Sequence, residues 1–158
     1  MREFMKLDRM TAYFAENGAF LATTGGGQTN VMTISWGMFG QMWNREMVMV
    51  LVRPQRYTKH IIDVAEDFTV SVPLGALARE LAVCGSRSGA ELDKSKVVEF
   101  IGARAVKSPV VKGCGAYYEC RIIYRDRLYG EKLPDEIKQF YRDGDYHYLY
   151  FGEVVASY

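Results

Sequence analysis

Arg53-Pro54-Gln55-Arg56-Tyr57-Thr58 is the densest concentration of chemistry in this sequence. Pro54 disfavours helix at Arg53, and Thr58 is a good N-cap for a helix running through Ile61, Ile62 and Val64. A helix N-terminus leaves backbone N–H groups free. Those groups, the Thr58 hydroxyl and the Arg56 guanidinium can converge on one anion, and a phosphate monoester suits the set. The competing reading is a capped helix flanked by solvated arginines, and the turn alone does not choose between them.

The other reactive side chains are scattered. His60 and His147 are the two histidines, and neither has a carboxylate or cysteine at metal-ligand spacing. No nucleophile elbow or paired motif frames Ser35, Ser71 or Cys84, so no Ser-His or Cys-His catalytic set is expected and no catalytic residue is named. Cys84 to Gly89 reads as a polar loop whose hydroxyls and Arg87 can touch a ligand, or as a plain connection. Lys94, in a charged stretch from Glu91 to Phe100 that reads as a short helix, is a solvated lysine on spacing alone. The triple glycine Gly25-Gly26-Gly27 lies between two strand-like segments, which excludes a dinucleotide fingerprint.

Strands must position these groups. Met32, Ile34 and Trp36 alternate with Val31, Thr33 and Ser35, the period of a strand able to line a pocket. Met47 to Val52 is apolar on both faces and reads as a central strand, preceded by a polar turn at Asn44-Arg45-Glu46. Leu7, Met10, Phe14 and Ala15 have helical spacing, stopped by Asn17-Gly18, and Ala19 to Thr24 forms a hairpin with the Thr29–Trp36 strand. Gly37 to Trp43 reads as a Gly-punctuated link, too apolar for exposed loop. Asp67 to Val72 is the next strand, Ala76 to Ala82 is helical, and Tyr117 to Tyr124 is a long strand with Arg125-Asp126-Arg127 at its polar end. Pro134 to Tyr141 is helical or turn-rich, and Tyr146 to Val155 is the last strand. Many antiparallel strands with few helices favour a closed or nearly closed barrel in a β-rich α+β chain.

At 158 residues, 49% hydrophobic and 25% charged, one compact domain is expected. A net charge of +1 gives no electrostatic footprint for nucleic acid or an anionic membrane. The longest apolar run, Met47 to Val52, is far below the roughly 20 residues of a spanning helix. Three cysteines in no metal-like spacing, and a beginning without the apolar core of a signal peptide, imply a reducing, cytoplasmic setting.

The order of segments adds a resemblance. Asn30-Val31-Met32-Thr33-Ile34-Ser35-Trp36, a strand, then Arg53-Pro54-Gln55-Arg56-Tyr57-Thr58, closely resembles the flavin reductase-like family of FMN-binding split barrels. Cys84-Gly85-Ser86-Arg87-Ser88-Gly89, Asp93-Lys94, Glu119-Cys120-Arg121 and His147 to Val154 are similar to that family's later blocks, in the same order. The resemblance implies one FMN-binding domain over 1–158, a split β-barrel with Greek-key order and a few peripheral helices.

It also implies FMN as cofactor, with its phosphate at Arg56, Tyr57 and Thr58, and its ribityl chain and ring along Asn30, Val31, Met32, Thr33, Ser35 and Trp36. Arg53, Ser86, Ser88, Lys94 and His147 are the remaining candidate contacts. The implied activity is an NAD(P)H:flavin oxidoreductase using NADH or NADPH. The alternatives are a flavoredoxin-type carrier with a redox partner protein, and a non-catalytic FMN-binding protein. A homodimer is implied as well, with Gly37 to Trp43 near the interface.

Overall fold

In the computed structural model, which describes residues 7–158, helix α1 (Leu7–Asn17) ends at Gly18, whose φ of +82° lets its N–H reach the Phe14 carbonyl. The expectation that the chain begins without a signal-peptide core lies outside the described residues. β1 (Ala19–Gly25) and β2 (Gln28–Ile34) then pair antiparallel from Ala19↔Ile34 to Gly25↔Gln28, with the turn at Gly26-Gly27. Alternation divides β2: Met32 and Ile34 face the main core, whereas Val31 packs on a smaller core with Phe20, Ala22 and Leu81.

β4 (Arg45–Val52) lies between two neighbours and is buried from Met47 to Val50 and again at Val52. The segment read as a link is instead a strand, β3 (Gly37–Met42), paired with β4 from Gly37↔Val50 to Met42↔Arg45. The glycines at 37 and 40 broke its sequence pattern, and pairing with β4 restores the extended chain. The turn is Trp43-Asn44, both at φ 55°, so Arg45 and Glu46 already belong to β4.

After β4 comes the short helix α2 (Thr58–Ile62), then β5 (Asp67–Val72) and α3 (Ala78–Ser86). Helix α3 swallows Cys84 to Ser86, leaving a shorter loop than expected. The predicted helix over 91–100 is one 3-10 turn, Lys94–Lys96, capped by the Asp93 carboxylate accepting from Ser95 N–H. Val98 then enters the small core, and the chain passes into β6 (Phe100–Ile101), paired with β7 (Val110–Val111). β8 (Ala116–Arg127) runs through its charged end and pairs with β9 (Tyr148–Ser157), the intervening excursion holding α4 (Asp135–Lys138).

Among the described residues the large sheet has the order β2-β1-β5-β8-β9-β4-β3, antiparallel throughout. Strands β4 and β5, neighbours in sequence, are separated by the β8–β9 hairpin, which is Greek-key order. The sheet curls, since Met32 and Ile34 of β2 meet Val48 and Val50 of β4 in one core with Phe68, Tyr118 and Tyr150. β2 and β4 are not paired, and the barrel is split there. No helix among the described residues is long and apolar enough to cross a membrane.

Candidate functional site

The split opens into two adjoining cavities. The inner one, about 140 Å³, is walled by Gln55 to Thr58, the end of α3 with the residues after it, and Lys94. Asn30 and Thr58 are buried in its wall, the Asn30 amide donating to Thr58 Oγ1 at 3.0 Å. Thr58 is therefore the first helical residue and not the cap. Tyr57 occupies the cap position in helical conformation and makes no side-chain cap bond, and the Thr58 hydroxyl is turned inward to Asn30.

Two cations meet at this cavity. Arg56 Nη1 donates to the Gly85 carbonyl at 2.9 Å and Nη2 to the Cys84 carbonyl at 3.2 Å, binding the turn to the C-terminal end of α3. Lys94 Nζ donates to the same Cys84 carbonyl at 3.1 Å. Contrary to the solvated lysine that spacing suggested, Lys94 is 3% exposed, and no carboxylate lies within ion-pair distance of it among the described residues. Burial pushes its ammonium down to about 8, and the nearby Arg56 charge acts in the same direction. Burial likewise lowers Arg56. Two desolvated cations facing one small cavity without an acidic partner are an arrangement that a bound anion completes.

Gly89 makes the inner cavity possible. A Cβ there would stand 2.5 Å from Tyr57 Cδ1 and 2.6 Å from Asn30 Oδ1. Ser86 and Ser88 line the same space, but their hydroxyls are engaged locally: Ser86 Oγ donates to the Ala82 carbonyl and Ser88 Oγ accepts from Ala90 N–H.

The second cavity, about 280 Å³, shares Met32 and Arg56 with the first and runs between β2 and the end of β4. Thr33 at the end of β2 and the following Ser35 and Trp36 line it on one side, with Leu51, Arg53 and His147 opposite. Thr33 Oγ1 donates to the Leu81 carbonyl at 2.6 Å, which ties this strand to α3. Its mouth is aromatic: Trp36 lies 5.3 Å from His147 and 5.5 Å from Phe140, ring centre to ring centre. Arg53 does not point free into the space. It pairs with Asp145 at 2.6 Å, donates to the Phe140 carbonyl and lies over the Tyr141 ring, so it fastens the 139–146 excursion beside the cavity.

His147 is buried and hydrogen-bonded through Nδ1 to Tyr141 OH at 2.7 Å. Burial lowers it to about 4, the Arg53 charge acting in the same direction, so it is a neutral ring near pH 7. Its neighbour Tyr148 lies outside both cavities, with Lys59 Nζ 3.9 Å from its ring centre.

Thirteen of the expected site residues therefore border one connected trough. Val31 is the exception, because its side chain turns into the small core and only its backbone runs past. Sequence reasoning passed over Leu51, Gln55, Gly89 and Tyr141. Gln55 donates to Asp145, and Tyr141 positions His147. Only Gly89, next to the hydroxyl-rich loop, carried a signal in its residue type. Among the described residues no group of three His, Cys, Asp or Glu side chains could hold a metal ion.

A family model described as "Flavin reductase like domain" matches residues 11–158. A relative from Archaeoglobus fulgidus is 28% identical over 116 residues, which is 72% of this chain and 65% of the relative, so the chain spans less than two thirds of that protein. Among solved structures, flavoredoxin from Methanosarcina acetivorans is 26% identical, with a TM-score of 0.70 over 90% of this chain and 67% of that one. An FMN-binding protein from Thermus thermophilus, solved with bound 1-cyclohex-2-enone, is 22% identical, with a TM-score of 0.70 over 100% of this chain and 80% of that one.

Proposed function

Because this chain belongs to the flavin reductase like domain family, we propose that it is an FMN-binding oxidoreductase in which NADH or NADPH delivers hydride to the flavin. Electrons then pass to free flavin, a small acceptor or a partner protein. The observation that carries the reading is the continuity of the trough, in which a cavity with two cations that have no carboxylate partner among the described residues opens directly into one walled by a strand and an aromatic cluster. Phosphate at one end and a flat ring at the other is the shape of a flavin mononucleotide.

Arg56 and Lys94 would hold the phosphate, with Thr58 and Asn30 behind it, and Met32 to Trp36 would run along the ring. When bound, FMN supplies a ring that accepts a hydride and releases electrons onward. The chain's residues bind and orient. Among the described residues the backbone of β2 is an unpaired sheet edge on this side and can offer N–H and C=O groups to a heterocycle. His147, neutral and engaged by Tyr141, packs against Trp36 and narrows the mouth without supplying a proton at neutral pH. Hydride transfer needs stacked rings at near-attack distance more than acid–base help, which suits such a site.

Anaerobic titration of the flavin-loaded protein tests the reading, with bleaching of the yellow colour by NADH or NADPH as the expected result. Likeness to the M. acetivorans flavoredoxin favours an electron carrier as the second reading. Colour that persists with both nucleotides but is lost to a reduced protein partner would establish that reading instead. The buried thiols Cys84 and Cys120 fit a reducing, cytoplasmic location.

The same protein is proposed to be a homodimer. Trp36, just before edge strand β3, is 42% exposed, Met38 in the strand 62% and Trp43 in its turn 52%, an apolar stretch next to the trough suited to a second copy. Light scattering is expected to give twice 18.0 kDa at micromolar concentration. A monomer removes the proposal, and a Trp43→Glu variant that stays dimeric removes this strand from the interface.

A further inference from the structure

A separate cavity, about 540 Å³, lies where β8 ends at Arg127 and β9 begins at Tyr148, under the excursion that joins them. It shares no lining residue with either cavity of the trough, yet the wall between is one chain thick. Arg53 borders the ring space and Pro54 this cavity, and His147 borders the ring space while Tyr146 and Tyr148 border this one. We propose that this cavity binds a small aryl carboxylate, its ring among Tyr129, Tyr146 and Tyr148 and its carboxylate on Arg127 and Lys138, and that the ligand steadies the shared wall. No residue of the trough takes part, so the proposal stands apart from the flavin reading.

Size, rings and charge carry it. The volume lies within the roughly 300–1,000 Å³ range of small-molecule pockets and exceeds what a lone anion fills. The rings are held in place before any ligand arrives. Tyr129 lies 4.8 Å from both Arg127 Cζ and Lys132 Nζ, Tyr148 is covered by Lys59 at 3.9 Å, and Tyr146 stacks on Tyr141 with ring centres 5.0 Å apart. A Cβ at Gly130 would collide with the Tyr146 hydroxyl, so glycine there lets that ring lie against the backbone. Against Arg127 and Lys138 the walls set one acid, Glu131. Arg127 makes no ion pair among the described residues, and Lys138 pairs with Asp135, whose side chain is almost wholly exposed. One negative charge is therefore what the cavity lacks, and the guanidinium fork suits a carboxylate. The same contacts reach the trough. Tyr141, behind Tyr146, bonds His147, and Asp145, between Gly144 and Tyr146, holds Arg53 and Gln55.

The test is equilibrium dialysis of the full-length protein with 2-naphthoate as probe. One equivalent is expected to bind, with an affinity that saturating FMN does not change, and 2-naphthalenemethanol, which lacks the charge, should bind at least roughly tenfold more weakly. Arg127→Met and Lys138→Met should each weaken 2-naphthoate roughly tenfold, whereas Lys94→Met, which removes a cation of the trough, should leave it unchanged. Amide hydrogen exchange over Tyr141 to His147 should slow when the probe is bound. No binding, displacement by FMN, or an affinity that neither cavity variant alters overturns the site, and binding without slower exchange overturns its hold on the wall. The variants decide the matter whether or not FMN binds, so failure of the flavin reading remains a distinct result.

Discussion

Lys94→Met is expected to lower FMN affinity roughly tenfold or more while leaving the ligand-free protein as stable as wild type or more stable. The two effects have one cause. Folded, Lys94 titrates near 8, below its ordinary 10.5, because burial disfavours its charge. As pH falls from 10.5 towards 8 the unfolded chain takes up this proton more readily than the folded one. The stability contribution is thus present at high pH and lost by neutrality. Methionine removes that deficit, and it also removes a charge that a phosphate would use.

A bound phosphate raises the Lys94 pKa, so binding takes up a proton wherever the free site is partly deprotonated. Wild-type FMN affinity is therefore expected to decline as pH rises through about 8, and Lys94→Met should lose that decline. Riboflavin, which lacks the phosphate, should discriminate little between the two proteins. Arg56→Ala should weaken FMN to a similar degree but also destabilise the protein, because the Cys84 and Gly85 carbonyls lose donors. Equal FMN binding by wild type and Lys94→Met, measured by equilibrium dialysis at pH 7, would place the phosphate elsewhere.

What the sequence made legible were elements whose signals are local. The β1–β2 hairpin has a glycine turn between alternating runs, β4 is an unbroken apolar run, and Arg53 to Thr58 concentrates donors in one turn. What it hid depended on distant contacts. Lys94 sits among charged neighbours in sequence, and its burial is created by the end of α3 and by β2, brought over it in the fold. Thr58 looked like a cap because capping is a local rule, yet its hydroxyl is claimed by Asn30, 28 positions away. β3 lost its strand signal to Gly37 and Gly40, and only pairing with β4 declares it. Val31 shares the sequence run of its neighbours, yet the alternation of side chains on a strand sends its side chain to the far face and leaves its backbone beside the trough.

Gly89→Ala is expected to weaken flavin binding by roughly tenfold or more with only a modest loss of fold stability, a large effect for one methyl group. The added carbon would arrive 2.5 Å from the Tyr57 ring and 2.6 Å from Asn30 Oδ1, closer than such atoms approach, so one of the two must move. Neither moves freely. Asn30 is buried and donates to Thr58, and Tyr57 packs edge-on to His60 with ring centres 4.7 Å apart. Either displacement deforms the wall that Asn30, Tyr57 and Thr58 make around the anion end of the trough. The strained loop is half-buried and lies outside the two core clusters, so the protein should stay folded with a melting temperature only a few degrees lower. Unchanged FMN affinity in Gly89→Ala would mean that the ligand does not rely on this wall.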